Sequence, residues 1–443
     1  MKRILPMSPA RVRKFTGRVH NFLIVKRLPF NTPPRYDARF GVMRVLHLIT
    51  SLSVGGAEQM LVKLLRALDR RAFEPTVVTL VDDGALIEVV RDMGIRVETT
   101  GLRRGEVSLR GLRRLTKVIQ RHDPDLIQSW MYHANTAASL ARPWIPRKTP
   151  IVWNIRQSLY DLSRERFLTR AVIRCGRFLA PHADAIVNNA HISQEQHARI
   201  GYENDRSVVI PNGFEVDRFR PDPVARASVR TELGIPLDAT VIGMAARVHP
   251  QKDHAGFLES ARIASAVNPR LHFLLVGRGT DEGHLWGGAS AQELQHRVRR
   301  LGERADVARL MCAMDILVSP SRWGEGCPNV VGEAMACGIH VIGTNIGDTA
   351  HVIGDCGVVV EAGQPSALAE AMLHAAALAP SARFAIGDAA RARIRAHYSI
   401  HSVAEKYAQL WEETIAKRRG VRPSERSVER SVVKPKREPV HSA

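Results

Sequence analysis

Twice along this chain, short apolar runs alternate with stretches of helical period, and a single break separates the two series. "RVLHLI" (44–49), "TVVTLV" (76–81), "RVETT" (96–100), "DLIQSW" (125–130), "IVWNI" (151–155), "DAIVNN" (184–189) and "SVVIPNG" (207–213) make the first series. Helices are expected between them, among them 84–93 and 108–121. Runs that are apolar throughout suit strands covered on both faces, as in a parallel sheet under helices. "PNGFEVDRFRPDP" then interrupts both periods with glycine, proline and charge and reads as a linker. The rhythm restarts with "TVIGMAAR" (240–247), "LHFLLVG" (271–277), "DILVSPS" (315–321), "HVIGT" (340–344) and "GVVVE" (357–361). Helices are expected at 253–267, 291–300, 329–337 and 366–378. The fold class is therefore α/β: two Rossmann-like domains in tandem, 43–213 and 214–395, facing a cleft at the carboxyl ends of their strands. "SVAEKYAQLWEETIAKR" supplies a terminal helix, 396–416.

The formal charge of +20 suggests nucleic acid until its distribution is read. Residues 1–42 carry ten Lys or Arg against one acid, and residues 417–443 carry nine against three. The 374 residues between hold only about +5. The excess thus sits in two Pro- and Ser-containing ends expected to be disordered, and nucleic acid is not the expected partner. Contact of these ends with an anionic membrane surface is the alternative to mere solvation. Ordered pattern begins at Arg44, so removing residues 1–42 is expected to leave the thermal unfolding transition intact. Five cysteines, with no metal-like spacing, read as free thiols in a reducing compartment.

Chemistry concentrates at four places. Gly55 and Gly56 stand between the first strand and a helix, where backbone can approach a bound group. A plain tight turn is the other reading. "AARVHPQKD" sets Arg247 and Lys252 at a strand end, a cation pair suited to a diphosphate or simply a solvated loop. "SRWGEGCPNVVGEAMACG" (321–338) places Glu325 on the loop after a strand and Glu333 inside the next helix. The N–H groups from Gly326 through Cys327, Pro328, Asn329 and Val330 (proline excepted) open that helix and favour phosphate. Glu333 has the reach for two adjacent hydroxyls, as on a ribose. Such a pair grips two ends of one ligand and need not act across one bond, as glycosidase carboxylates do. A loop acid and an exposed helix acid remain the plain reading. His133 in "SWMYHAN" is on its own more often structural than functional.

Taken in order, "GGAE", "PNGFEVDRFRP", the Arg247/Lys252 pair and "EGCPNVVGEAMACG" resemble the GT-B glycosyltransferases of family 4, over roughly residues 43–416. The last stretch carries that family's E-x7-E spacing. The resemblance implies a retaining enzyme that needs no cofactor and no metal and uses a UDP- or GDP-linked sugar as co-substrate. It implies that Arg247 and Lys252 bind the donor diphosphate, Glu325 faces the sugar, Glu333 holds the ribose and His133 is the active-site histidine. It further implies that the terminal helix crosses back to the first domain. The sequence itself has no Asp-x-Asp metal motif at a strand end. His340, Cys327 and one extra residue between Ser321 and Glu325 depart from the family's pattern and are expected to shift donor preference. The expected acceptor is a glycan or lipid-linked hydroxyl in bacterial-type polysaccharide, lipopolysaccharide or glycolipid synthesis. The expected place is cytoplasmic, peripheral on the inner face of the membrane.

Helix 108–121 bears on that last expectation. Leu109, Leu112, Leu115, Val118 and Ile119 fall on one face, and Arg110, Arg113, Arg114, Lys117 and Arg121 on the other. Such a helix lies on a membrane or packs on the sheet with a solvated basic face. Two other functions fit the same cleft: a sugar-nucleotide epimerase, and a non-catalytic sugar-nucleotide-binding protein.

Overall fold

The computed structural model describes residues 41–102, 108–160, 162, 167–202, 205–283 and 293–421, which fall in one compact unit. Most of the two basic ends lies outside the described residues. Seven strands form the first sheet: β1 (Met43–Ile49), β2 (Phe73–Val81), β3 (Arg96–Leu102), β4 (Leu126–Trp130), β5 (Ile151–Ile155), β6 (Ala185–Asn188) and β7 (Ser207–Val209). Their order is β3-β2-β1-β4-β5-β6-β7. The second sheet comprises β8 (Thr240–Ala245), β9 (Leu271–Val276), β10 (Val298–Arg300), β11 (Ile316–Ser319), β12 (His340–Thr344) and β13 (Gly357–Val360). They are ordered β10-β9-β8-β11-β12-β13. All pairings are parallel. Every residue of β4 and β5 is buried, as covering on both faces demands.

Two polar residues inside those buried strands explain the terminal helix, Ile400–Arg419. Gln128 accepts from Trp411 Nε1 at 2.8 Å, and Asn154 donates to the Tyr407 hydroxyl at 2.8 Å. A buried amide without partners is costly, so these bonds fix where the helix docks on the first sheet. The chain passes between the domains twice, and the two crossings are bonded to each other. Phe214 N donates to Tyr398 O (2.8 Å) and Ile400 N to Phe214 O (2.9 Å).

The helix expected at 291–300 is a correction. Val298–Arg300 is a strand, β10, pairing along β9 from Val298 opposite Phe273. The open edge of β9 needs backbone partners, and these three residues supply them in register up to Arg300 opposite Leu275. Helix Pro380–His397 was not expected, because its inward face is only Gly387, Ala390 and Ile394. Helix Leu109–His122 spends its apolar stripe on the first domain's core, through Leu115, Val118 and Ile119. Its basic face is solvated, with Arg121 bonded to Glu98 at 3.0 Å, so this helix offers a membrane no apolar face beyond the exposed Leu109 at its start.

Candidate active site

β8 and β11 are neighbours in the centre of the second sheet, so the loops at their carboxyl ends lie side by side. The loop after β8 carries Arg247 and turns through Pro250–Lys252. Asp253, at φ +52, caps the helix His254–Val267 by accepting from Gly256 N at 3.2 Å. The loop after β11 is tied to it, since Arg322 N donates to Gln251 O at 2.8 Å. Gly324 sits at φ +77, and a Cβ there would stand 2.8 Å from the Gln251 side chain, so glycine makes this turn. The result sets Glu325 against Lys252. Lys252 Nζ pairs with Glu325 Oε1, and Ser321 Oγ donates to the same oxygen at 2.6 Å. Glu325 is 7% exposed, a depth at which a carboxylate needs such partners.

The first domain reaches across the cleft to hold the backbone of this loop. The Tyr160 hydroxyl donates to Glu325 O at 2.9 Å. Asn212 Nδ2 donates to Cys327 O at 3.1 Å and to Asn329 Oδ1 at 2.8 Å. Arg156 holds Asn212 in turn and donates to the Tyr407 hydroxyl at 2.8 Å. On the other side, Asp348 N donates to Gly326 O at 2.9 Å, while its carboxylate accepts from His191 N (2.7 Å) and Ile192 N (3.1 Å). Gly347, at φ +62, lets this loop pass 2.2 Å from the Glu325 carbonyl, measured at the site a Cβ would occupy.

Helix Asn329–Ala336 starts directly after Pro328, and no side chain caps it. Its first N–H groups and the positive end of its dipole are therefore open to an anion. Helix Gly56–Ala67 in the first domain starts the same way, with Gly55 as an uncapped N-cap. Nothing lies within 4 Å of a Cβ at Gly56, but a Cβ at Gly55 would stand 2.4 Å from the Glu58 carboxylate, so an acid of the first turn already occupies that helix start.

Glu333 differs from Glu325. It is half-buried, and its carboxylate has no hydrogen bond among the described residues. Burial pushes its carboxyl up to about 7, Lys63 and Arg218 pull it back, and Glu215 pushes the same way as burial. A carboxyl whose pKa is raised by folding favours the native state below its unfolded value and loses that advantage as pH rises through about 7. Glu333→Gln should therefore be more stable than wild type at pH 8 by on the order of 1 kcal/mol after solvent screening, and so unfold at a higher temperature. The gap should close near pH 4.5, and thermal melts of both proteins across that range check it. Wild type melting above the variant at pH 8 would mean that Lys63 and Arg218 outweigh burial.

His133 lies in the first turn of helix Met131–Leu140, half-buried, with burial lowering its pKa. Met131, immediately after β4, has φ +67, a strained setting for a non-glycine residue at a strand-to-helix turn. Among the described residues the structure records no contact of His133, Gly55 or Gly56 with Glu325. Arg247 is exposed at the β8 end and has no partner among the described residues. Cys327 is buried in the loop, and burial pushes its thiol up to about 11. His340 corrects one expectation. It opens β12, at the end of the strand away from the cleft, with both ring nitrogens buried and unpartnered. It cannot touch a donor bound at the carboxyl ends. Tyr160, Asn212, Ser321 and Asp348 were not singled out in the sequence. Their partners are mostly far along the chain (157 positions for Asp348), so no local pattern marks them.

With this geometry in hand, likeness to known proteins can be placed. The family described as "Glycosyltransferase Family 4" matches residues 54–218, and "Glycosyl transferases group 1" matches residues 239–377. N,N'-diacetylbacillosaminyl-diphospho-undecaprenol alpha-1,3-N-acetylgalactosaminyltransferase of Campylobacter jejuni is 30% identical over 314 residues, covering 68% of this chain and 77% of that protein. UDP-Gal:alpha-D-GlcNAc-diphosphoundecaprenol alpha-1,3-galactosyltransferase of Escherichia coli is 32% identical over 142 residues, covering 31% of this chain and 36% of that one. The crystal structure of HepE of Anabaena in complex with UDP superposes with a TM-score of 0.71 at 24% identity, covering 85% of this chain and 100% of that one. The two matched families, the relative matched over most of its length and the shared two-sheet fold agree: this chain belongs to the GT-B glycosyltransferases of family 4.

Proposed function

We propose that this glycosyltransferase moves a sugar from a UDP- or GDP-linked donor to a hydroxyl of a lipid-linked or glycan acceptor, with retention of configuration and without a metal ion. The observation that carries the donor reading is the convergence of Lys252, Glu325 and the uncapped start of helix Asn329–Ala336 at one pair of strand ends, with Arg247 beside them and unpartnered among the described residues. In the empty site Lys252 spends its charge on Glu325. A diphosphate competes for that ammonium and adds the Arg247 fork and the helix N–H groups. Glu325, released from Lys252, then faces the sugar, where its charge offsets the positive charge that develops as the glycosidic bond to phosphate breaks. Glu333 holds ribose hydroxyls. His133, neutral near pH 7 because burial lowers its pKa, orients the sugar or acceptor by hydrogen bonds. The acceptor hydroxyl attacks on the face the phosphate leaves, and its proton passes to the departing phosphate oxygen. Two relatives act on diphospho-undecaprenol-linked sugars, which supports a lipid-linked acceptor here.

The test is a mass-spectrometric screen of sugar nucleotides with lipid-diphosphate-linked acceptors, repeated with a chelator, and NMR of the product's anomeric centre. Transfer that survives chelation and keeps the donor's configuration is the expected result. An epimerised donor with no acceptor product, an inverted linkage or a metal requirement would each overturn the corresponding part.

A further inference from the structure

Six of the fifteen large apolar side chains that stand exposed among the described residues fall between residues 140 and 178: Leu140, Trp144, Tyr160, Phe167, Leu168 and Phe178. Three of them belong to one helix, Phe167–Leu179. That helix already has an inward face: Ile173 and Gly176 are buried, and Val172 and Leu179 pack on the first domain's core. Gly176 allows that closeness, since a Cβ there would stand 2.1 Å from the Tyr202 hydroxyl. The outward face is the unusual one. Phe167 is 75% exposed and Phe178 is 64% exposed. Eleven residues separate them, so at about 100° per residue they lie on the same side. Arg174 and Arg177 are exposed near them, and the helix contains no acid. The Arg177 guanidinium lies 4.5 Å from the Phe178 ring centre, and that of Arg170 lies 6.0 Å from the Phe167 ring centre. Large rings held in water beside cations mark a docking surface more than a solvated face.

Charge decides among its occupants. The basic extension, with ten Lys or Arg in residues 1–42, would be repelled by the arginines of this helix. A second copy of the chain docked on the same face would set arginines against arginines with no carboxylate on the helix to answer them. An anionic bilayer accepts both components: phosphates take the guanidinium groups, and the rings enter the headgroup–acyl boundary. Position favours it too. The chain runs from Tyr160, whose hydroxyl binds the Glu325 carbonyl, to Phe167 in seven residues, so at most about 25 Å separates the patch from the cleft wall. We infer that the outer face of helix Phe167–Leu179, through Phe167, Arg174, Arg177 and Phe178, docks the enzyme on an anionic lipid surface with the cleft close to the bilayer.

The inference rests on the lipid-linked acceptor reading, and its test needs no sugar nucleotide. The full-length protein is sedimented with phosphatidylcholine vesicles with and without phosphatidylglycerol. Wild type should bind only the phosphatidylglycerol vesicles. Phe167→Ser/Phe178→Ser and Arg174→Gln/Arg177→Gln should each weaken that binding by about tenfold, while the melting temperature and turnover of a water-soluble acceptor stay unchanged. Should the Phe pair disturb folding, the Arg pair carries the test alone. Binding that neither pair weakens, or equal binding to neutral vesicles, would overturn the inference. So would a wild-type dimer that the Phe pair dissociates, since a second copy would then be the occupant. Failure here with intact turnover leaves the catalytic reading standing.

Discussion

Lys252→Ala and Arg247→Ala should each lower kcat/KM for the sugar-nucleotide donor by about thirtyfold or more, near 2 kcal/mol. The two variants reach that loss differently. Lys252 already has a partner, so its removal also leaves Glu325, 7% exposed, with Ser321 as its remaining side-chain bond. That variant should melt earlier as well as turn over more slowly, because an uncompensated buried carboxylate is expensive. Arg247 is exposed and unpartnered among the described residues, so its loss should leave the melting temperature unchanged and act on donor alone. Steady-state kinetics beside thermal melts separate the two effects. Near-normal turnover in Arg247→Ala would show that the β8 loop does not grip the diphosphate.

Glu325→Gln should lower kcat by about a hundredfold with a small change in KM, and Glu333→Gln should raise KM by about tenfold with kcat nearly preserved. Glu325 is held on the cleft loop by Lys252 and Ser321 and sits where positive charge develops at the sugar. An interaction that strengthens only in the transition state appears in kcat. Glu333 lies in the second turn of its helix, its carboxylate without a hydrogen bond among the described residues, and would hold ribose hydroxyls equally before and during transfer. Uniform binding of that kind appears in KM. Glutamine keeps the shape and removes the charge, so kinetics with the true donor read charge rather than packing. If Glu325→Gln alters KM alone while Glu333→Gln abolishes turnover, the two assignments are reversed. Constants unchanged in both variants would place the donor elsewhere.

Much of this protein was legible along the chain because the relevant physics is local. Strands buried on both faces must be apolar throughout, so "IVWNI" and "LHFLLVG" announce themselves, and the loops after them must lie at the carboxyl ends of a parallel sheet. That is enough to bring Arg247, Lys252 and Glu325 to one cleft before any coordinate is known. What the sequence could not decide depends on partners far apart. Whether the stripe of helix Leu109–His122 meets a membrane or a sheet depends on what it packs against, and the sheet takes Leu115, Val118 and Ile119. Val298–Arg300 becomes a strand because β9 has an edge to pair, not because its residues alternate strongly. The Glu325 loop owes its shape to Tyr160, Asn212 and Asp348, whose side chains belong to other elements, and Asp348 crosses the domain seam to bond His191 and Ile192. Glu333's raised pKa likewise comes from burial, which no local pattern encodes. Periodicity fixes which face of an element is apolar. Only tertiary packing decides what covers that face and which polar groups it leaves for a ligand.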